Sequence, residues 1–209
     1  ISRYTYYVEQ LAYSYSPEAK EALVIGLGSG IIPERFSRYG IRTDVVEINP
    51  GVVEAAKTYF SFDPVKHPTF IEDGRNFLKS GDGHYDIIFL DAFSGDTPPS
   101  HLVSIEAFEL ARGKLTEGGT LIINFVSGNQ PEDQLVPSSL YGTLKKVFQS
   151  VDIYVGQDFF ASAPRVVNMI FVARDSQQPV ETGFVPADAY PEFIDDLKVT
   201  LEGRQTWED

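Results

Sequence analysis

A short apolar run, Ala22-Leu23-Val24-Ile25, breaks directly into Gly26-Leu27-Gly28-Ser29-Gly30, and amphipathic residues follow from Ile31 to Tyr39. That pattern predicts a buried strand, a turn that needs glycine freedom, and a helix stopped at Gly40. It recurs along the chain. Asp44-Val45-Val46-Glu47-Ile48 leads through Asn49-Pro50 into a helix with Val52, Val53, Ala56, Tyr59 and Phe60 on one face. Thr69-Phe70-Ile71 leads through Glu72-Asp73-Gly74 into a short helix through Asn76 to Lys79. Tyr85 to Leu90 is almost wholly apolar, as a parallel strand buried on both faces is, and ends in Asp91. Ser104 to Leu115 reads as a helix closed by Gly118-Gly119, before a fifth strand from Thr120 to Val126. A helix over Ser139 to Phe148 and strands over Asp152 to Val155 and Asn168 to Ala173 follow. Helices are also expected at Ser2 to Tyr15 and Asp188 to Leu201.

Repeated strand–helix alternation predicts an α/β fold with a doubly wound, mostly parallel sheet. The expected division is an N-terminal helical segment over 1–21, the sheet domain over 22–175, and a C-terminal helical tail over 176–209. With 209 residues, 43% of them hydrophobic, the chain is long enough for one real core. It has no cysteine, which removes disulfides, thiolate metal sites and thiol nucleophiles. Its three histidines (His67, His84 and His101) are scattered, so no metal site is expected. Seventeen basic against 30 acidic residues give a net charge of −13, which disfavours nucleic acid and anionic lipid as partners. Such a charge permits cationic ligands, and solubility alone also accounts for it. No apolar run approaches the ~18 residues of a membrane helix, and no signal peptide is read. The single methionine is Met169, so processing, or membership of a longer protein, is expected.

In a doubly wound sheet, ligands sit outside the carboxyl ends of the strands. Gly26, Gly28, Ser29 and Gly30 let backbone approach a ligand, although glycine turns also serve packing. Their G-x-G-x-G spacing departs from the dinucleotide fingerprint, with Ile31 where the third glycine belongs. Glu47, at the second strand end, can accept both hydroxyls of a ribose; the alternative is a solvated strand-end acid. Asp73, beside Gly74, can accept from an adenine amino group, or cap a helix, or do both. Asp91 directly follows four apolar residues, Ile87 to Leu90, so it is partly desolvated and needs a partner: a substrate cation, a proton, or a polar loop. Asp96 is its companion. His101 reads as a loop-packing residue rather than an acid or base, and Tyr4, Tyr6 and Tyr7 as core or interface.

With these residues in view the chain resembles the polyamine (spermidine) synthase family, which shares the Rossmann-like fold of class I adenosylmethionine-dependent methyltransferases. Tyr7-Val8-Glu9 resembles the family's Tyr-x-Glu, Val24 to Gly30 its glycine loop, and Val46-Glu47-Ile48-Asn49 its ribose-binding strand end. Glu72-Asp73-Gly74-Arg75 resembles its adenine-binding Asp-Gly, and Tyr85 to Asp91 the strand with the catalytic aspartate. The stretch from Asp91 to Asp96, with Pro99-Ser100-His101-Leu102, is nearest a bacterial branch sometimes fused to membrane segments. The resemblance implies a seven-stranded sheet with an antiparallel edge strand. It also implies catalysis by Asp91 and Asp96, and a co-substrate, decarboxylated S-adenosylmethionine or S-adenosylmethionine, on Gly26, Gly28, Ser29, Gly30, Glu47, Asp73 and Gly74. It implies no metal, a cytoplasmic location (the cytoplasmic side of the membrane in a fused protein), and the homodimer common among polyamine synthases.

The sequence departs from that pattern in places. Ser29 stands where the synthases carry an acid that excludes the carboxylate of ordinary S-adenosylmethionine. The second catalytic-loop acid would fall near Ser94, with Asp96 displaced from it, and the late substrate-loop Tyr has no counterpart in Phe159 to Pro164. Three readings follow: aminopropyl transfer to a diamine such as putrescine, methyl transfer from S-adenosylmethionine, or a non-catalytic nucleoside-binding domain of a larger protein.

Overall fold

Seven strands and six helices alternate in a computed structural model that describes residues 4–92, 99–128, 135–156, 166–178 and 180. In chain order these are α1 (Tyr4–Tyr15), β1 (Glu21–Ile25), α2 (Ile31–Arg38), β2 (Arg42–Glu47), α3 (Pro50–Phe60), β3 (Thr69–Ile71) and α4 (Gly74–Ser80). Then come β4 (Tyr85–Leu90), a 3-10 turn (Ser100–Leu102), α5 (Ile105–Lys114), β5 (Leu115–Gly128), α6 (Leu135–Lys145), β6 (Ser150–Gly156) and β7 (Val166–Arg174). The expected helix over Asp188 to Leu201 lies outside the described residues.

The strands form one sheet in the order β3-β2-β1-β4-β5-β7-β6. All pairings from β3 to β5 are parallel, while β7 runs antiparallel to both β5 and β6. The sheet is therefore the mixed, mostly parallel α/β sheet that the alternation implies, with antiparallel pairing confined to one edge.

Both faces are covered because the central strands are apolar on both sides. Leu23, Ile25, Ile88 and Leu90 face α4, α5 and α6 through Phe77, Phe108 and Leu144. Val24, Val45, Ile87 and Phe89 face α1, α2 and α3 through Leu11, Phe36 and Ala56. Phe89 and Phe108 are fully buried, each contributing roughly 1.5–3 kcal/mol of burial. The N-terminal helix is thus part of the core. Glu9 on α1 and Arg35 on α2 form a buried ion pair, with the guanidinium 3.7 Å above the Tyr6 ring. A pair out of water is held by its geometry, and removing one partner strands the other.

Several boundaries differ from the sequence expectation, each for a local reason. Gly118 and Gly119 do not close α5, which ends at Lys114. They belong to an irregular start of β5, where the register with β4 jumps from Tyr85↔Leu115 to Ile87↔Thr120. Gly118 there has φ +79°, a conformation that suits glycine. Helix α6 begins four residues earlier than the apolar spacing suggests. Pro137 is accommodated in its first turn, where no backbone donor is needed. Helix α3 buries only Ala56 fully; Tyr59 and Phe60, expected on its inward face, are 78% and 58% exposed.

Candidate active site

The order of strands reverses between β1 and β4, and there a cleft of about 760 Å³ opens at their carboxyl ends. Gly26, Gly28, Glu47, Asp73, Gly74 and Asp91 all line it. Ser29 and Gly30 are not among its lining residues, and Asp96 lies outside the described residues.

The glycines of the turn after β1 have different tasks. A Cβ on Gly26 would come within 2.5 Å of the Asp91 carbonyl oxygen, so that glycine lets the ends of β1 and β4 meet. One on Gly30 would stand 2.6 Å from the Phe62 ring, so Gly30 serves packing. Gly28, with φ +53°, has nothing within 4 Å of its Cβ position, and that open space belongs to the cleft. Gly74 is again a packing glycine, seated 2.5 Å (measured from its Cβ position) from Ile25. Ser29 is half-exposed in the turn.

Glu47 is 8% exposed, not a solvated strand-end acid. Its Oε2 accepts from Leu27 N–H at 3.0 Å and its Oε1 from Asn49 N–H at 2.9 Å, tying the glycine turn to the end of β2. A carboxylate offers about four acceptor positions, so two remain for donors in the cleft.

Asp73 does cap a helix. Its Oδ1 accepts from Asn76 N–H at 3.0 Å at the start of α4. Its Oδ2 lies 2.9 Å from His101 Nε2. Burial pulls the Asp73 carboxyl upward, but the hydrogen bonds from Asn76 and His101 outweigh it and leave the group below its ordinary value. His101, expected only to pack a loop, lines the cleft.

Asp91 is held by two neutral donors. Tyr4 Oη donates to Oδ2 at 2.6 Å, and Asn124 Nδ2 donates to Oδ1 at 2.8 Å. Asn124, only 3% exposed, is oriented in turn by Asn168 Nδ2, 2.8 Å from its Oδ1. Burial raises the Asp91 carboxyl to about 6, and the bonds from Asn124 and Tyr4 hold it from rising further. Burial, then the Asp91 charge, pushes the Tyr4 hydroxyl upward, so Tyr4 remains a protonated donor. A carboxyl poised near neutrality at the mouth of a cleft can take a proton from a nucleophile.

The spermine/spermidine synthase domain family matches residues 2–157. The chain belongs to that family. It is 28% identical over 174 residues to a probable polyamine aminopropyl transferase of Bifidobacterium longum, covering 81% of this chain and 37% of that relative. The chain thus spans well under half of that relative's length. Among solved structures, a probable spermidine synthase from Corynebacterium glutamicum is similar in fold, with TM-score 0.74 and 18% identity over 96% of this chain and 71% of that one. Human methyltransferase-like protein 13 in complex with SAH is similar too, with TM-score 0.70 and 24% identity over 100% of this chain and 96% of that one. At these identities the likeness is one of fold, the class I methyltransferase type.

Among the residues quoted for the family likeness, Glu47, Asp73 and Asp91 share the cleft, while Glu9 stands apart from it in the ion pair with Arg35. Tyr4 and His101, read from the sequence as core or interface and as loop packing, join the site, and Asn124 and Asn168 are added to it without having been singled out in the sequence. A signal for one of them existed: Asn124 interrupts the apolar run Leu121-Ile122-Ile123, and a polar residue inside a buried strand needs a partner. Among the described residues, no cluster of His, Asp and Glu could hold a metal ion, and no helix is long and apolar enough to cross a membrane.

Proposed function

We propose that this chain transfers an aminopropyl group from decarboxylated S-adenosylmethionine to a diamine such as putrescine. The observation that carries the reading is Asp91: a carboxyl raised to about 6, clamped by Tyr4 and Asn124, in one cleft with Glu47 and Asp73. The residues fit an adenosyl co-substrate. Gly28 leaves room for close approach, Glu47 keeps two acceptor positions for ribose hydroxyls, and Asp73 keeps capacity for a nucleobase donor.

When bound, that co-substrate supplies a carbon on positively charged sulfur, whose bond to sulfur breaks as the amine nitrogen bonds to carbon. Asp91 orients the amine and takes its proton. An alkylammonium with pKa ~10.4 cannot attack until it loses that proton. The two donors fix the direction in which the Asp91 lone pairs point, and such positioning supplies much of the acceleration.

A second reading, methyl transfer from S-adenosylmethionine, is favoured by Ser29, a neutral residue where an acid would repel that donor's carboxylate. Turnover assays pairing each donor with a panel of diamines, read by mass spectrometry, separate the two. Aminopropylated product supports the first reading and methylated product the second. Absence of any product, together with tight nucleoside binding, favours a nucleoside-binding domain.

A further inference from the structure

The turn that follows β4 returns to the nucleoside side of the cleft and is fastened there three times. Leu102 is buried beside Ile25 and Gly74, Arg75 Nη1 donates to the His101 carbonyl at 3.0 Å, and the His101 ring meets Asp73 at 2.9 Å. The first two contacts anchor the backbone. The third is of another kind, because it reaches a carboxylate that lines the cleft. An ionised carboxylate only accepts, so the hydrogen of this bond sits on His101 Nε2.

We infer that His101 sets the nucleobase preference of the cleft, by pinning Asp73 in one orientation as an acceptor-only carboxylate. The inference rests on the reading of the cleft as an adenosyl site. A pinned acceptor accepts from an exocyclic amino group and repels a keto oxygen at the same position. Without the imidazole, Asp73 keeps its cap to Asn76 but loses the donor on Oδ2. Its free oxygen can then take a proton or a water and tolerate a keto oxygen. The His101 side chain is 47% exposed, so in the free protein the bond is screened by water; a base lying over it excludes that water and strengthens it.

The test is calorimetric binding of S-adenosylhomocysteine and its inosine counterpart to the full chain and to His101→Ala, His101→Phe and His101→Gln. The parent chain is expected to prefer the amino compound by about tenfold or more. Ala and Phe, the latter keeping a ring without the donor, should narrow that preference by roughly fivefold, mainly through weaker binding of the amino compound. Gln, whose amide carries a donor, should restore most of it. An unchanged preference in Ala or Phe overturns the inference, as does a Gln variant no better than Phe. If the parent chain binds neither compound, the adenosyl reading itself fails and this inference falls with it.

Discussion

Tyr4, in the first turn of α1, donates its hydroxyl hydrogen to Asp91, 87 residues further along the chain, across 2.6 Å. The helix that covers one face of the sheet therefore also reaches the strand end where the chemistry is proposed. Replacing Tyr4 by Phe keeps the ring and deletes the donor. Asp91 then loses one of the two bonds that counter its burial, so its pKa should rise. The acidic limb of the pH–rate profile should move upward by about one unit. A limb that stays in place would reduce Tyr4 to a packing role.

Asp91→Asn should lower turnover by orders of magnitude with little effect on nucleoside binding, and unchanged turnover would remove Asp91 from the mechanism. The same substitution carries a stability signature. A carboxyl that goes from an ordinary 3.8 to about 6 on folding holds its proton more tightly in the folded state. The contribution of Asp91 to folded stability is then full below pH ~4 and is lost as the pH climbs through 6. The Asn variant escapes that decline, so it should gain on the parent chain by of order 2 kcal/mol at pH 8, with the gain fading toward pH 4. Thermal melts across that range check the sign.

Gly28 and Gly30, two residues apart in one turn, differ in the contact that a methyl group would make at each. Gly30→Ala should cost ~2–4 kcal/mol, because the new methyl meets Phe62 at 2.6 Å and the backbone is left-handed. Gly28→Ala meets no neighbouring atom, so it should cost only ~1–2 kcal/mol, and its main effect should be weaker nucleoside binding. Denaturation curves beside binding isotherms distinguish them. Equal stability losses would contradict the assignment.

Glu9→Gln should destabilise by roughly 3–5 kcal/mol, because Arg35 keeps its charge in a buried place without the carboxylate opposite. A double replacement of Glu9 and Arg35 by Met and Leu should recover much of that loss. Urea midpoints for Glu9→Met, Arg35→Leu and the double replacement form the cycle that measures it, and a double variant less stable than either single one would refute the account.

The strands most legible in the sequence were those whose signal is local. The continuous apolar runs at Ala22 to Ile25 and Tyr85 to Leu90 mark β1 and β4 because both faces of those strands are covered. The start of β5 was hidden by Gly118 and Gly119, since the same residues end helices and allow strand irregularities. In the cleft, Glu47, Asp73 and Asp91 stand out because each lies at or just past a strand end, in a position set by its immediate neighbours. Tyr4 and His101 do not. Their partners lie 87 and 28 residues away, and only the completed sheet brings them together. The face of α3 differs for the opposite reason: Tyr59 and Phe60 have the right periodicity, but among the described residues no element lies opposite them to bury them.

The placement of β7 has a practical bearing on how the protein can be shortened. The family match ends at residue 157, and β7 begins at Val166. Yet among the described residues β6, inside the match, has no ladder to the rest of the sheet except through β7. A truncation at the recognisable family boundary would strip β5 of one of its two neighbours and orphan β6, and Asn124 would lose the Asn168 side chain that aims it at Asp91. The shortest version that keeps the proposed base oriented has to extend at least to Arg174.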